Sequence, residues 1–249
     1  MYCFIYGREL SERRYEQNLL AIENRLSDLD LSGSVIRLHD CRNLSLSLAE
    51  QKKRGVSTFV VLGNQTAFFE SFEALMQTEQ PIGYIPFSTN ELSLYLGVPP
   101  LVQACDVLSA RTTELMDVGL VNNHPFLLQF ELKGFEGKVH CGDSYTCSPK
   151  SPALVRIKNT SPADASRDQL EMTLDVSYST GWSLFSRKQV THTSIIRDDF
   201  VIEATKQSQA ALDGELFEGT QFTCSIRKKA VRLIAGKDRL FSTPLVSLS

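Results

Sequence analysis

The stretch TFVVLGNQTAFFE, residues 58–70, decides the fold. Phe59–Leu62 is a short run of β-branched, aromatic and aliphatic side chains that stops at a turn signal, the pattern of a strand buried on both faces. Gly63 follows at the strand's end. Asn64, Gln65 and Thr66 can supply caps for a helix beginning near Ala67. A strand–turn–helix junction of this kind aims free backbone N–H groups at one point, where anions such as phosphates bind. The turn has one glycine and no acidic residue, so a phosphate reading needs support from elsewhere in the chain.

Working outward, the same alternation recurs. Tyr2–Tyr6 reads as a strand. From Ser11 onward Tyr15, Leu19, Ile22 and Leu26 fall four, three and four residues apart, one face of an amphipathic helix. Ser34–Leu38 is a second strand candidate and Leu44–Arg54 a second helix. Phe68–Met76 makes a third helix after the 58–70 strand. Ile82–Ile85 is a further strand, Pro86–Asn90 a turn, and helical material runs through Leu96 and again from Val102 to Leu115. Strands alternating with helices predict a parallel sheet covered on both faces, with ligands beyond the carboxyl ends of its strands. Both Gly63–Thr66 and Pro86–Asn90 fall at such ends.

After about Asp117 the period changes to two. Leu170, Met172, Leu174, Val176 and Tyr178 alternate with polar residues, as do Phe200, Ile202 and Ala204, and then Phe222, Cys224 and Ile226. The fold class expected is therefore α/β plus all-β: a Rossmann-like parallel-sheet domain over residues 1–116, then an antiparallel β-sandwich or barrel over 117–249. Cys141–Pro162 reads as loop-rich.

Composition bounds the function classes. A chain of 249 residues with 42% hydrophobic content can bury a substantial core. Its formal net charge of −3 argues against a nucleic-acid binder. The six cysteines form no C-x-x-C pair, and the N-terminus lacks a basic leader, which fits reduced thiols in a cytoplasmic protein. No segment approaches the ~20 apolar residues of a membrane span.

Leu212–Leu216, LDGEL, lies between two strand patterns, and its Asp-Gly pair is a hairpin signal. Asp213 and Glu215 alternate, so in an extended strand both carboxylates share a face and can share a proton or hold a metal. A plain surface turn is the competing reading. Elsewhere, His140, Cys141, Asp143 and Cys147 are close in sequence but lack paired zinc-ligand spacing. His39 reads as a solvated turn histidine. Trp182 and Phe185 suit either hairpin packing or an apolar lip for lipid, and Arg227-Lys228-Lys229 reads as a solvated hairpin tip able to meet anionic headgroups.

The order of these segments resembles the diacylglycerol kinase catalytic family, in its bacterial lipid-kinase form, over nearly the whole chain. The family's G-G-D-G-T turn and following Glu correspond to Gly63-Asn64-Gln65-Thr66-Ala67 and Glu70. Its P-x-G-T-x-N-D turn is similar to Pro86-Phe87-Ser88-Thr89-Asn90-Glu91-Leu92, with Leu96-Gly97-Val98-Pro99 after it. Met116–Asn122 and Phe126 resemble its domain-crossing segment. Val155–Asn159 resembles the strand entering its metal loop, near whose acidic residue Asp168 falls. Leu212-Asp213-Gly214-Glu215 is similar to its catalytic D-G-E.

The resemblance implies a nucleotide domain like those of phosphofructokinase and NAD kinase, then a β-sandwich domain whose last residues can return to the first. It implies ATP in a cleft between them, with γ-phosphoryl transfer to a lipid alcohol, a diacylglycerol or a sphingoid-type base. Glu215 or Asp213 would take the hydroxyl proton. Gly63, Asn64, Gln65, Thr66, Glu70 and Thr89 would meet the nucleotide, and Asp168 would help place Mg2+. It further implies transient contact with the inner membrane surface, and an exposed sheet edge is compatible with a homodimer. The chain also departs from the pattern. Gln65 replaces the central Asp, Thr66 and Ala67 replace Gly and Thr, Ser88 replaces Gly, Glu91-Leu92 replaces Asn-Asp, and only Tyr6-Gly7-Arg8 remains of the opening N-P-x-S-G. Two expectations follow: an active lipid kinase, or an inactive pseudokinase that keeps the fold to bind a lipid, a nucleotide or a protein.

Overall fold

The computed structural model describes residues 1–142, 145–159, 169–180 and 187–240. The chain divides into two units, one comprising Met1–Met116 and the chain from Lys229 onward, the other Asp117–Lys228.

In the first unit, parallel strands alternate with helices: β1 (Tyr2–Tyr6), α1 (Glu16–Asp28), β2 (Gly33–Arg37), α2 (Leu44–Lys53), β3 (Thr58–Gly63), α3 (Gln65–Met76), β4 (Ile82–Pro86), α4 (Glu91–Leu96) and α5 (Val102–Ala110). The sheet order is β2-β1-β3-β4, every pair parallel. Strands β3 and β4 are buried along their whole lengths, which is why they read as unbroken apolar runs. The chain leaves β1 toward β2 on one side and later enters β3 on the other. The carboxyl ends of β1 and β3 therefore flank a topological switch point, the place where open α/β sheets bind ligands.

Three element boundaries differ from those the spacing predicts. The first helix begins at Glu16 rather than Ser11, because Arg8–Ser11 and Arg13–Tyr15 form short 3-10 turns. The third helix begins at Gln65, three residues before Phe68, because Asn64 Oδ1 accepts from Ala67 N–H at 2.8 Å and caps it. The helix from Val102 ends at Ala110, not Leu115. Arg111 adopts a left-handed conformation (φ 51°) and donates its N–H back to the Val107 and Leu108 carbonyls, and β5 (Thr113–Val121) starts two residues later.

In the second unit the strands are β6 (His124–Phe126), β7 (Gln129–Phe135), β8 (Gly137–Cys141), β9 (Tyr145–Cys147), β10 (Ala153–Asn159), β11 (Leu170–Thr180), β12 (Arg187–Arg197), β13 (Asp199–Leu212) and β14 (Glu215–Ile234). They pair antiparallel in the order β12-β11-β10-β7-β13-β14, with β8 on β13 and β9 on β8. Tyr145–Cys147 and Ala153–Asn159 are thus strands within the stretch expected to be loop-rich. The alternating residues Leu170, Met172, Phe200, Ile202, Phe222 and Cys224 are fully buried in one core with Phe126, Phe130 and Phe135. A charged ladder, Lys133–Glu131–Arg156–Asp175–His192, crosses β7, β10, β11 and β12, with contacts of 2.6–3.3 Å.

Arg227-Lys228-Lys229 is not a hairpin tip. It lies inside β14, which continues to Ile234 and whose Leu233 pairs parallel with Ile82 of β4. The second unit accordingly ends at Lys228, and the chain from Lys229 returns to the first. Trp182 and Phe185 lie outside the described residues.

Candidate functional site

The turn after β3 is built by glycine geometry and capping. Gly63 has φ +141°, a backbone that other residues rarely adopt, and it turns the chain from strand to helix. Its carbonyl accepts from Phe87 N–H at 3.2 Å and from the Tyr84 hydroxyl at 3.3 Å, tying the first turn to the loop after β4. Burial pushes the Tyr84 phenol well above its ordinary range, so it stays protonated as a donor.

Asn90 organises the second turn. Its Oδ1 accepts from Ser93 N–H at 2.9 Å, and Ser93 Oγ accepts from Asn90 N–H at 2.8 Å, a capping box for α4. Asn90 Nδ2 also donates to the Tyr84 hydroxyl and to the Ser88 carbonyl, each at 3.0 Å. Gln65 Oε1 accepts from Leu92 N–H at 3.1 Å, so this side chain joins the starts of α3 and α4. Asn64, Thr66, Glu70 and Thr89 are exposed around this platform and Gln65 is half-buried. Replacing Asn90 by alanine is expected to lower stability by about 1–2 kcal/mol, as for lost caps elsewhere, read as a fall in the urea midpoint. An unchanged midpoint would show that the cap carries no weight.

A contributor that the sequence reading missed comes from the other side of the switch point. Glu9, in the 3-10 turn after β1, accepts the backbone N–H of Asn64 through Oε1. The carboxylate sits so close that a Cβ placed on Gly63, or one placed on Gly7, would overlap it. Arg8 holds Glu70 of α3, with Nε 2.9 Å from Oε1, and the Tyr15 ring stands edge-on to Phe87 at 5.4 Å. A cavity of about 360 Å³ is lined by Arg8, Glu9, Ser11, Glu12, Asn64, Thr66, Ala67 and Glu70. Its charge is predominantly acidic. The only signal for Glu9 in the sequence is its place just after Tyr6-Gly7-Arg8, at the end of the first strand.

In the second unit, Asp213 and Glu215 do not form the same-face pair expected of an extended strand. Asp213 (φ 49°) and Gly214 (φ +96°) form the turn of the β13–β14 hairpin. Asp213 is buried, and its carboxylate accepts the N–H groups of Leu127 (2.6 Å), Leu128 (2.9 Å) and Gln129 (2.8 Å). Its own N–H donates to the Gln129 carbonyl at 2.9 Å. Asp213 thereby pins the hairpin to the β6–β7 connection. Glu215 is exposed beside Leu216, which is 66% exposed.

Asp168 lies outside the described residues. At the end of β10, just before that segment, Asn159 Nδ2 donates to the Asp117 carbonyl at 2.7 Å, and among the described residues its buried Oδ1 has no partner. A buried amide oxygen is a hard donor of the type Mg2+ takes, so the donor chemistry there fits that ion. Among the described residues, no three or more His, Cys, Asp or Glu side chains converge as a metal site. In the candidate zinc group, His140 faces Thr146 and Glu203 (3.0 and 3.3 Å), Cys141 is buried, and Asp143 lies outside the described residues. His39 is an exposed turn residue 3.2 Å from Asp40.

No family model matches the chain, and no curated protein matches it. Solved structures do. A diacylglycerol kinase from Bacillus anthracis strain Sterne superposes with a TM-score of 0.71 at 16% identity, covering 96% of this chain and 98% of its own. A second structure described as a diacylglycerol kinase from that strain gives 0.73 at 15% identity with the same coverage. A third gives 0.71 at 16% identity over 95% of this chain and 97% of its own. At such identities the likeness establishes the fold: along nearly its whole length, this chain is folded as those kinases are.

Proposed function

We propose that the chain is a lipid kinase-like protein that transfers the γ-phosphoryl group of ATP to a lipid alcohol, of the diacylglycerol or sphingoid type. The observation that carries this reading is the end-to-end likeness to solved diacylglycerol kinases. The organisation it takes is a phosphofructokinase-like nucleotide domain followed by a β-sandwich domain. Gly63–Thr66, Glu70 and Thr89 meet the nucleotide. Asn159 and Asp168 supply oxygen donors toward Mg2+, whose contribution when bound is to neutralise phosphate charge. Glu215 takes the proton of the attacking hydroxyl, the role its exposed carboxylate suits. Asp213, with its carboxylate committed to three backbone N–H groups, acts as the anchor that positions Glu215. Leu216 offers apolar surface for an acyl chain beside that carboxylate. Among the described residues no helix is long and apolar enough to cross a membrane, and a lipid substrate is met at the membrane surface.

A thermal-shift titration with Mg·ATP tests the nucleotide half of this reading. Saturation tenfold above Kd stabilises a folded protein by about 1.4 kcal/mol, a rise of about 3–6 °C for a chain this long. A Mg2+-dependent rise is expected at roughly 10 mM nucleotide. No rise in either the native chain or Glu9→Gln would overturn it in favour of the second reading, an inactive member of the same fold that binds lipid alone. That second reading is favoured by two features: Gln65 spends its amide oxygen on Leu92 N–H, and Glu9 spends its carboxylate on the turn itself.

A further inference from the structure

Phosphate-binding turns at the start of a helix present unfilled N–H groups to an anion. Here the Asn64 N–H is already taken by a carboxylate, that of Glu9, seated against the Cα of Gly63. The carboxylate is not there by chance of an extended side chain. The segment carrying it, Arg8–Tyr15, is folded as two successive 3-10 turns and tied down on both flanks. Leu10 is buried, Gly7 N–H donates to the Leu62 carbonyl at 2.8 Å, and Arg8 clasps Glu70 on α3. Tyr15 at its far end stacks edge-on against Phe87 of the second turn. The strap thus runs over the switch point from one turn to the other.

We propose that Glu9 is an internal occupant of the phosphate position and that the Arg8–Tyr15 strap is an autoinhibitory latch. This inference rests on the lipid-kinase reading for the identity of the displaced ligand, a polyphosphate, but not on phosphoryl transfer taking place. A nucleotide phosphate and the Glu9 carboxylate compete for the same N–H, and they repel each other at contact distance. Glu12 adds to that repulsion, and Arg8 is held by Glu70 rather than turned to the anion, so a phosphate enters only as Glu9 leaves. Gly63 has its wide backbone angle and no Cβ for a reason common to both occupants: either anion must approach the backbone closely.

The test measures binding of inorganic tripolyphosphate and of Mg·ATP by isothermal titration calorimetry. The proteins compared are the native chain, Glu9→Gln and Glu9→Ala. Glutamine keeps an oxygen acceptor for Asn64 N–H while removing the charge, so it guards against a variant that merely unfolds, and each variant's melting temperature is recorded alongside. Both substitutions are expected to tighten tripolyphosphate binding at least tenfold, with alanine the stronger. Equal affinity of native and Glu9 variants within twofold, including no binding by any of them, would overturn the latch. The two proposals fail separately. Variants that bind tripolyphosphate tightly yet phosphorylate no lipid retain the latch and lose the kinase. A native chain that phosphorylates lipid, with Glu9 variants no tighter, does the reverse.

Discussion

Asp213→Ala is expected to lower the stability of the protein by about 3–5 kcal/mol, the largest effect of any single truncation considered for the two candidate sites. The reason is an accounting of donors. Three consecutive N–H groups, of Leu127, Leu128 and Gln129, converge on this one carboxylate, in a segment where Leu127 is fully buried. Removing the acceptor leaves donors without water to replace it, and an unsatisfied buried donor costs about 1–3 kcal/mol. Asn in its place keeps one oxygen but turns an amide N–H toward a backbone N–H, so Asp213→Asn is expected to lose less than alanine and still lose measurably. Equilibrium urea unfolding of native, Asp213→Asn and Asp213→Ala reads the series. A loss below about 1 kcal/mol for alanine would mean that the hairpin is held by other contacts.

Glu215→Gln is expected to do the opposite: little to the fold and nearly everything to the chemistry. The side chain is exposed, so its replacement should move the melting temperature hardly at all. If it is the base that takes the lipid hydroxyl proton, removing its basicity lowers phosphoryl transfer by about 10²–10⁴-fold. The pair of variants separates the two carboxylates of the D-G-E segment into an anchor and a base. Equal transfer by native and Glu215→Gln would remove Glu215 from that role, and destabilisation by Glu215→Gln would place it in the structural framework with Asp213.

How much of this was legible follows from where the partners lie. Residues 58–70 declare a buried strand, a turn and a helix because all three depend on neighbours in sequence, and β3, Asn64 as cap and α3 are there. The parallel sheet follows from the same local alternation repeated. The spacing carries α5 on to Leu115 because Thr112–Leu115 holds no strong breaker. What stops that helix is the left-handed turn at Arg111, whose guanidinium also reaches Thr58 Oγ1 at 3.0 Å, a partner 53 residues away. At Asp213 the Asp-Gly hairpin signal is local and the hairpin is there, whereas the same-face carboxylate pair requires an extended strand. The actual partners of Asp213 lie 84–86 residues back, and the left-handed turn at Asp213-Gly214 removes the extended geometry that alternation assumes.

Glu9 is the sharpest case. Its one local mark is its place just after Tyr6-Gly7-Arg8, and a glutamate in a short polar stretch after a strand is commonplace. Its significance arises because the sheet order sets the end of β1 beside the end of β3, bringing Glu9 to a backbone amide 55 residues later. The loss of the acidic residue at Gln65 was visible in the sequence, while the arrival of an acid from elsewhere at the same turn was not.

Phosphoryl transfer to a lipid alcohol is measured by incubating the native chain and Glu9→Gln with γ-labelled ATP, Mg2+ and mixed micelles. The micelles carry a diacylglycerol, a sphingoid base or a simple long-chain alcohol, and the organic phase is then counted. Label in the lipid fraction, higher for Glu9→Gln and lost in Glu215→Gln, is the predicted result. No label above a protein-free background with any acceptor, in either protein, would contradict it and leave the fold in the service of binding alone.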